Sequence, residues 1–591
     1  MNIKKTESVR QRKHFTVLIT LCLSIILGVL SGCSSTKSSI ESTGDTSEYA
    51  EKIFGADIIS IEIIADDTEW QAMLDNAIEE EYIKVDVVVN GIKFKDVGIR
   101  PKGNSSLTQV ASTDSDRYSF RLKFDKYVED QTCFGLESFV VNNMLGDNSY
   151  MKEYISYDLM KTIGVESPYF GFSNITVNGK SWGLYLAVEL YNDSYEERVF
   201  DDTSGMLYNV KMNMSNAGES GIYNKYDGQN KQDANTKSSD SNMNNEMFFK
   251  DKGGNMGASN SGGSLQYIDD KSSSYSSIFD NAVGKSEEAD YQRVIMALKA
   301  LSTGTDLEKH FDVDAILKYL AAHTIVVNLD SYSSSMAQNY YIYEKDGKIT
   351  ILPWDYNLAW GGFQSSDAAS VINFPIDTPV SGVEMADRPL LEKLFANSKY
   401  LEKYHQYMQE LIDSYFADGK FEAKVQELNT LISNYVKEDS TAFCTYEEYQ
   451  KAVKSLTTLG NLRAKSVQGQ LEGTVPSTTA EQKVNSDKLI SAGDLNIRDL
   501  GSMMGGKGGP PQGGLNGGNQ FPRGNSLDMD IMQKAMRIIQ DASGTISDEV
   551  KTKLRELGLN DEEISMFEHM KNMENTNNRP IPGRGNTSKN N

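Results

Sequence analysis

Two acids, Asp330 and Asp355, and two carboxamides, Asn339 and Asn357, stand in the stretch Leu329 to Gly362, LDSYSSSMAQNYYIYEKDGKITILPWDYNLAWGG. Between the acids, NYYIYEKDGKITIL alternates aromatic or apolar residues with others about Asp346-Gly347, a strong two-residue hairpin signal. A hairpin brings the chain back to where it started. Asp330 and Asp355 are therefore expected near each other, with Asn339 at the start of the first strand and Asn357 after the second. Hard oxygen donors in this arrangement suit a divalent cation such as Mg²⁺, which shares its ligands with phosphate groups. The same residues have a plainer use: Asp330 can cap a helix end or turn, and Pro353-Trp354 can be a rigid corner.

Several elements must position these side chains. A helix expected from Asp312 to about Asn328 sets Ile316, Leu320, His323 and Val327 on one face and delivers the chain to Asp330. His323 reads as a core histidine, because no second His or Cys sits at ligand spacing. Upstream, IISIEIIAD (58–66) reads as a strand and TEWQAML as a short helix, with hairpins about Asn90-Gly91 and Asn178-Gly179. Further strands are YSFRLKF (118–124) and ESFVVNN (137–143). A helix from about Ser149 to Thr162, capped by Asn148 or Ser149, buries Ile155, Leu159 and Ile163 and carries Glu153 one turn in. Downstream, residues 388 to 416 begin amphipathic helices that run to near Gly473. Strands first and helices second define an α+β chain.

The 591 residues are enough for two lobes with a real core. The net charge of -24 argues against sequence-independent nucleic-acid binding, which needs a cationic footprint. Residues 1–32 run from a basic start through an apolar stretch to Leu30-Ser31-Gly32-Cys33, the pattern of a secretory signal whose end resembles a bacterial lipobox with Cys33 as the lipidated residue. An uncleaved anchor is the alternative. The expected localisation is extracytoplasmic, anchored to the bacterial membrane as a lipoprotein. Residues 33–52 are a polar tether, 53–473 the globular domain, 474–525 a Gly-rich linker, 526–574 a small helical appendage and 575–591 a disordered tail. Within the domain, 53–210 is strand-rich, 213–263 is a mobile insertion low in aliphatic residues, and 264–473 is helix-rich. Cys133 and Cys444 read as buried free thiols, and the absence of CxxC or Cys/His clusters argues against zinc.

Five segments in order, RPKGNSS (100–106), RLKF (121–124), GLYLAVE (183–189), NLDSY with NYYIY, and PWDYN, resemble the spore-coat CotH kinase family, over roughly residues 55 to 470. The resemblance implies a bilobal atypical protein-kinase-like fold, with a strand-rich N-lobe and a helix-rich C-lobe. It also implies an ATP- and Mg²⁺-dependent protein kinase acting on protein Ser/Thr hydroxyls, on surface or coat proteins. Protein kinases pair an Asp that orients the substrate hydroxyl with a second Asp and an Asn that hold metal. On that pattern Asp330 is catalytic, Asp355 binds metal, and Asn339 or Asn357 completes the coordination. Lys123 contacts nucleotide phosphates ahead of Lys102, with the turn Gly103, Asn104 and Ser105 and, near the lobe connection, Glu189. Glu153 would pair with Lys123. Relatives often carry His-Asn where this chain has Gln338-Asn339. Two other readings stand beside the kinase: a non-catalytic surface or spore-assembly binding protein, and a metal-dependent phosphohydrolase.

Overall fold

The computed structural model describes residues 47–211, 261–365, 367–501, 547–556 and 564. The signal segment with Cys33, nearly all of the 213–263 insertion, the Gly-rich stretch from 502 and the tail 575–591 lie outside the described residues.

Seven strands close into a barrel: β1 (Ile59–Ile64), β2 (Ile83–Val89), β3 (Ile92–Lys102), β4 (Ser119–Lys123), β5 (Ser138–Asn142), β6 (Phe170–Val177) and β7 (Lys180–Glu189). Their order is β1-β2-β3-β4-β5-β7-β6, and the parallel pairing of β1 with β6 closes the ring. Period-two alternation decides what fills it: Ile59, Ile61, Val87, Ile99, Phe120, Leu122, Phe139 and Val141 all belong to one core. The sequence expectation of a strand-rich region holds, and closure into a barrel is added to it.

The turns follow the sequence closely. Asn90-Gly91, Asn178-Gly179 and Asp346-Gly347 each join strands through two residues with positive φ, between 46° and 85°. This is the primed turn whose twist matches that of the flanking strands.

From β5 to β6 the outer face of the barrel is also buried. Val140, Phe172, Leu184, Leu186 and Val188 join a second core with the helices, which is why GLYLAVE is apolar without interruption. Helix α1 (Lys152–Thr162) packs there, followed by α2 (Val313–Val326), α3 (Ser398–Leu411), α4 (Lys420–Glu438) and α5 (Tyr446–Leu471). A second sheet, in the order β11-β10-β8-β9, contains β8 (Met206–Val210), β9 (Ala282–Val283), β10 (Tyr340–Lys345) and β11 (Lys348–Pro353). The strand at 206–210 therefore pairs with the hairpin of the second half, not with the barrel that ends at Glu189.

Both expected edges of the domain move outward. Helix Glu48–Lys52 precedes Ile53, and its Tyr49 is 2% exposed. Residues 474–501 are packed chain and not linker: Asn373 exchanges hydrogen bonds with Ile490, Leu500 is fully buried, and the Asn148 amide donates to Leu500 O. The polar composition of this stretch hid Val475, Ile490, Ile497 and Leu500, which are spaced too irregularly to show a helical stripe. Residues 512–591 form a separate unit in which Asp548–Glu556 is helical. Cys133 and Cys444 are buried free thiols. Among the described residues no helix is long and apolar enough to cross a membrane.

Candidate active site

The chain reaches Asp330 from the end of α2, whose C-cap Val327 has φ 50°. A β-branched residue rarely takes that conformation. Ala337, Asn339 and Asp355 share it, with φ of 49°, 56° and 63°. Such strain persists only where neighbours over-determine the backbone. Here two fully buried arginines do so. Arg463 of α5 donates to the carbonyls of Thr324, Ile325, Ile372 and Phe374, which satisfies the last turn of α2. Arg388 donates to Tyr332 O and Ser334 O on the far side of the loop.

The Asp330 carboxylate accepts from Gln338 Nε2 at 2.9 Å and Asn339 Nδ2 at 3.0 Å. Its pKa is nevertheless pushed up to about 7, first by burial and then by the charge of Asp355. Those two hydrogen bonds pull the other way and do not win. Asp355 is itself raised by burial, with Lys102 opposing. Glu153, 2% exposed, is the third acid: burial and the charge of Asp355 raise it to about 7. Its Oε2 accepts from Asn142 at 3.0 Å, and Asn142 in turn accepts from Lys102 Nζ at 3.3 Å. A carboxamide thus bridges a strand lysine to a helix glutamate, which also lies against the Tyr356 backbone and the Tyr157 hydroxyl.

The structure brings some of the sequence candidates to this cluster and places others apart from it. Lys123 lies four rungs from Lys102, opposite Gly98, and is ion-paired with Asp125 at 2.9 Å. Register places Arg100, Lys102, Arg121 and Lys123 on one outer face of the barrel, and it is Lys102 that reaches Asn142, Glu153 and Asp355. The Gly103 amide is taken by Glu80 at 3.2 Å, while Asn104 and Ser105 start a short helix, so the turn is not an open ring of amides. Glu189 is sealed in a structural lock with Arg198 at 2.6 Å, Tyr49 at 2.5 Å and the Tyr169 amide at 2.8 Å. Asn339 faces Asp330, whereas Asn357 donates to Leu145 O at 3.2 Å. Among the described residues no group of three or more His, Cys, Asp or Glu is arranged to hold a metal ion.

Sequence reasoning missed Asn142 and Gln338. Asn142 is signalled by its register: Lys102 opposes Ser119 on β4, and Phe120 opposes Val141 on β5, which puts Asn142 beside Ser119, two strands from Lys102 on the same face.

The CotH kinase protein family matches residues 99–467, more than half of the chain. The chain belongs to that family. It is also 21% identical, over 335 residues, to the inner spore coat protein H of Bacillus subtilis strain 168. That alignment covers 55% of this chain and 75% of the relative. Asp330, Asp355, Glu153 and Lys102 all fall inside the CotH match.

Proposed function

We propose that this CotH protein is a bilobal, kinase-like phosphotransferase that moves the γ-phosphate of ATP to Ser or Thr hydroxyls of protein substrates, with the barrel as N-lobe and the helical part as C-lobe. One observation carries the reading: burial raises Asp330, Glu153 and Asp355 together, the charge of Asp355 adds to the rise of the other two, and Lys102 opposes it at Glu153 and Asp355. Such a cluster lacks positive charge, which a divalent cation bound with nucleotide would add. Asp355, with the Asn339 carboxamide, offers hard oxygens of the kind Mg²⁺ prefers, and phosphate and water oxygens would complete its shell. When bound, the ion would withdraw charge from the phosphates.

The protein's own groups have separable roles. Asp330, held by Gln338 and Asn339, accepts the proton of the acceptor hydroxyl, and a value near 7 suits a general base at neutral pH. The acceptor oxygen bonds to the γ-phosphorus as the bond to the β-phosphate oxygen breaks, and ADP leaves. Lys102, steered by Asn142 and Glu153, neutralises phosphate charge.

The lipobox-like Leu30-Ser31-Gly32-Cys33 supports anchoring outside the cytoplasm. The likeness to an inner spore coat protein supports surface or coat proteins as substrates. Purified full-length protein should transfer labelled phosphate from ATP to protein only with Mg²⁺, and Asp355→Ala should abolish transfer; equal labelling by that variant sinks the assignment. Release of free phosphate without protein labelling would favour a phosphohydrolase. The Gly103 amide, already engaged by Glu80, favours a second reading as a binding-only scaffold, which titration calorimetry would reveal as no Mg²⁺-dependent ATP affinity.

A further inference from the structure

His323 lies inside α2, 2% exposed, and both its ring nitrogens are engaged. Nδ1 is 2.8 Å from the Tyr356 hydroxyl and Nε2 is 3.0 Å from Ser333 Oγ. The Ser333 hydroxyl gives its own hydrogen to Asn328 O at 3.3 Å. Each ring nitrogen thus has one hydroxyl partner in either neutral tautomer. Burial drives the imidazole pKa down to about 3, so the ring stays neutral and one nitrogen gives while the other takes.

The two partners belong to different segments. Ser333 is in the loop that follows Asp330, and Tyr356 is next to Asp355. Asn328 adds a second crosspiece: its Oδ1 accepts from the Asp330 amide at 3.2 Å, and its Nδ2 donates to Asp355 O at 3.1 Å. Separate contacts hold each segment, Arg388 on the carbonyls of Tyr332 and Ser334 and the Tyr157 hydroxyl on the Asp355 amide, whereas the His323 and Asn328 bonds join the two segments to each other.

We propose that His323 is a positioning residue that fixes the separation of Asp330 and Asp355, by bonding the segment of each through one ring nitrogen. The catalytic consequence rests on the phosphotransfer reading, whereas the positional claim does not. Only a rigid ring with nitrogens on opposite edges spans both partners. A leucine or phenylalanine would fill the space and hold neither.

The test uses full-length protein with Tyr356→Phe and Ser333→Ala, which each remove one hydroxyl and keep the packing, and with His323→Phe. Amide hydrogen exchange is followed in peptides covering 328–334 and 354–357, alongside kcat and KM for ATP. Each hydroxyl deletion should speed exchange roughly fivefold in both segments, including the one not altered. It should lower kcat roughly tenfold with KM little changed, because misplaced groups lose rate before binding. The double variant should be no worse than the worse single one. Exchange that rises only in the altered residue's own segment, or losses that simply add, would overturn the proposal. If the unaltered protein transfers no phosphate, the kinase reading fails and the exchange data still decide the role of His323.

Discussion

Glu189 and Glu153 are carboxylates with essentially no solvent exposure, set in the same packed unit, and their surroundings treat them in opposite ways. Both oxygens of Glu189 are bonded, to Arg198, Tyr49 and the Tyr169 amide. Arg117 and Asp439, also buried, are matched in the same manner, with Asn143 O, Leu184 O and Thr441 taking up the remaining donors and acceptors. Among the described residues Glu153 has no cation bonded to it, only the Asn142 carboxamide, and feels the charge of Asp355. Completed networks hold the fold, whereas an incomplete one spends folding energy and persists where a ligand is to complete it. Burial alone therefore does not mark the functional charges of this molecule; the completeness of each network distinguishes Glu153 from Glu189 and Arg117.

The sharpest way to break that contrast is Asp355→Ala, expected to cut phosphate transfer at least about 1,000-fold while leaving the melting temperature equal or higher. A clear fall in stability would place Asp355 with the structural charges. Arg117→Met should do the reverse. It strands Asp439 between the barrel and α4, and should cost about 3–5 kcal/mol in denaturant unfolding. Lys102→Ala should raise KM for ATP about tenfold, while Lys123→Ala, which loses only a half-exposed pair with Asp125, should stay within about twofold. Equal effects from the two lysines would erase the distinction drawn between them.

A subtler effect concerns pH. Folded-state values near 7 for Asp330 and Glu153, against about 4 in an unfolded chain, mean that the folded protein holds extra protons in between. Stability of the metal-free protein should therefore fall as pH climbs from about 4 to 7, and level off above. Mg²⁺ with nucleotide should restore stability at pH 8 and do little at pH 5. Asp330→Asn should flatten the slope, gaining about 2–4 °C per kcal/mol recovered at pH 8. Calorimetric scans at pH 5 and 8 check the sign, and a variant as pH-sensitive as the parent would count against the crowded-acid account.

Much of the fold was legible because its signals are local. Three Asn-Gly or Asp-Gly turns, the alternation in β1 and β4, and the stripe of α1 each depend on neighbouring residues alone. The pairing of Asp330 with Asp355 was legible for the same reason, since one hairpin brings both back to one end. What could not be read depends on register and closure. Lys102 and Lys123 look equivalent along the chain, and only the pairing Gly98 with Lys123 and Lys102 with Ser119 sends them to different ends of one face. Glu189 ends an apolar strand in a family motif, but its fate is decided by Tyr49, 140 positions earlier, and by Arg198 on the following helix. The packed stretch after Gly473 carries no periodicity at all.

That stretch has a consequence for the order in which the protein can mature. Asn148, in the turn that feeds the helix bearing Glu153, is tied to Asp499, 351 positions later. A chain made from its N-terminus can form the barrel turns early, as each needs only adjacent residues. The seat of Glu153 is closed last, after Leu500 has been synthesised. Synthesis that stops at residue 467, where the family match ends, would leave a collapsed body whose acids are not yet in place. Competence for chemistry would thus require the chain through Leu500, and not merely its recognisable portion.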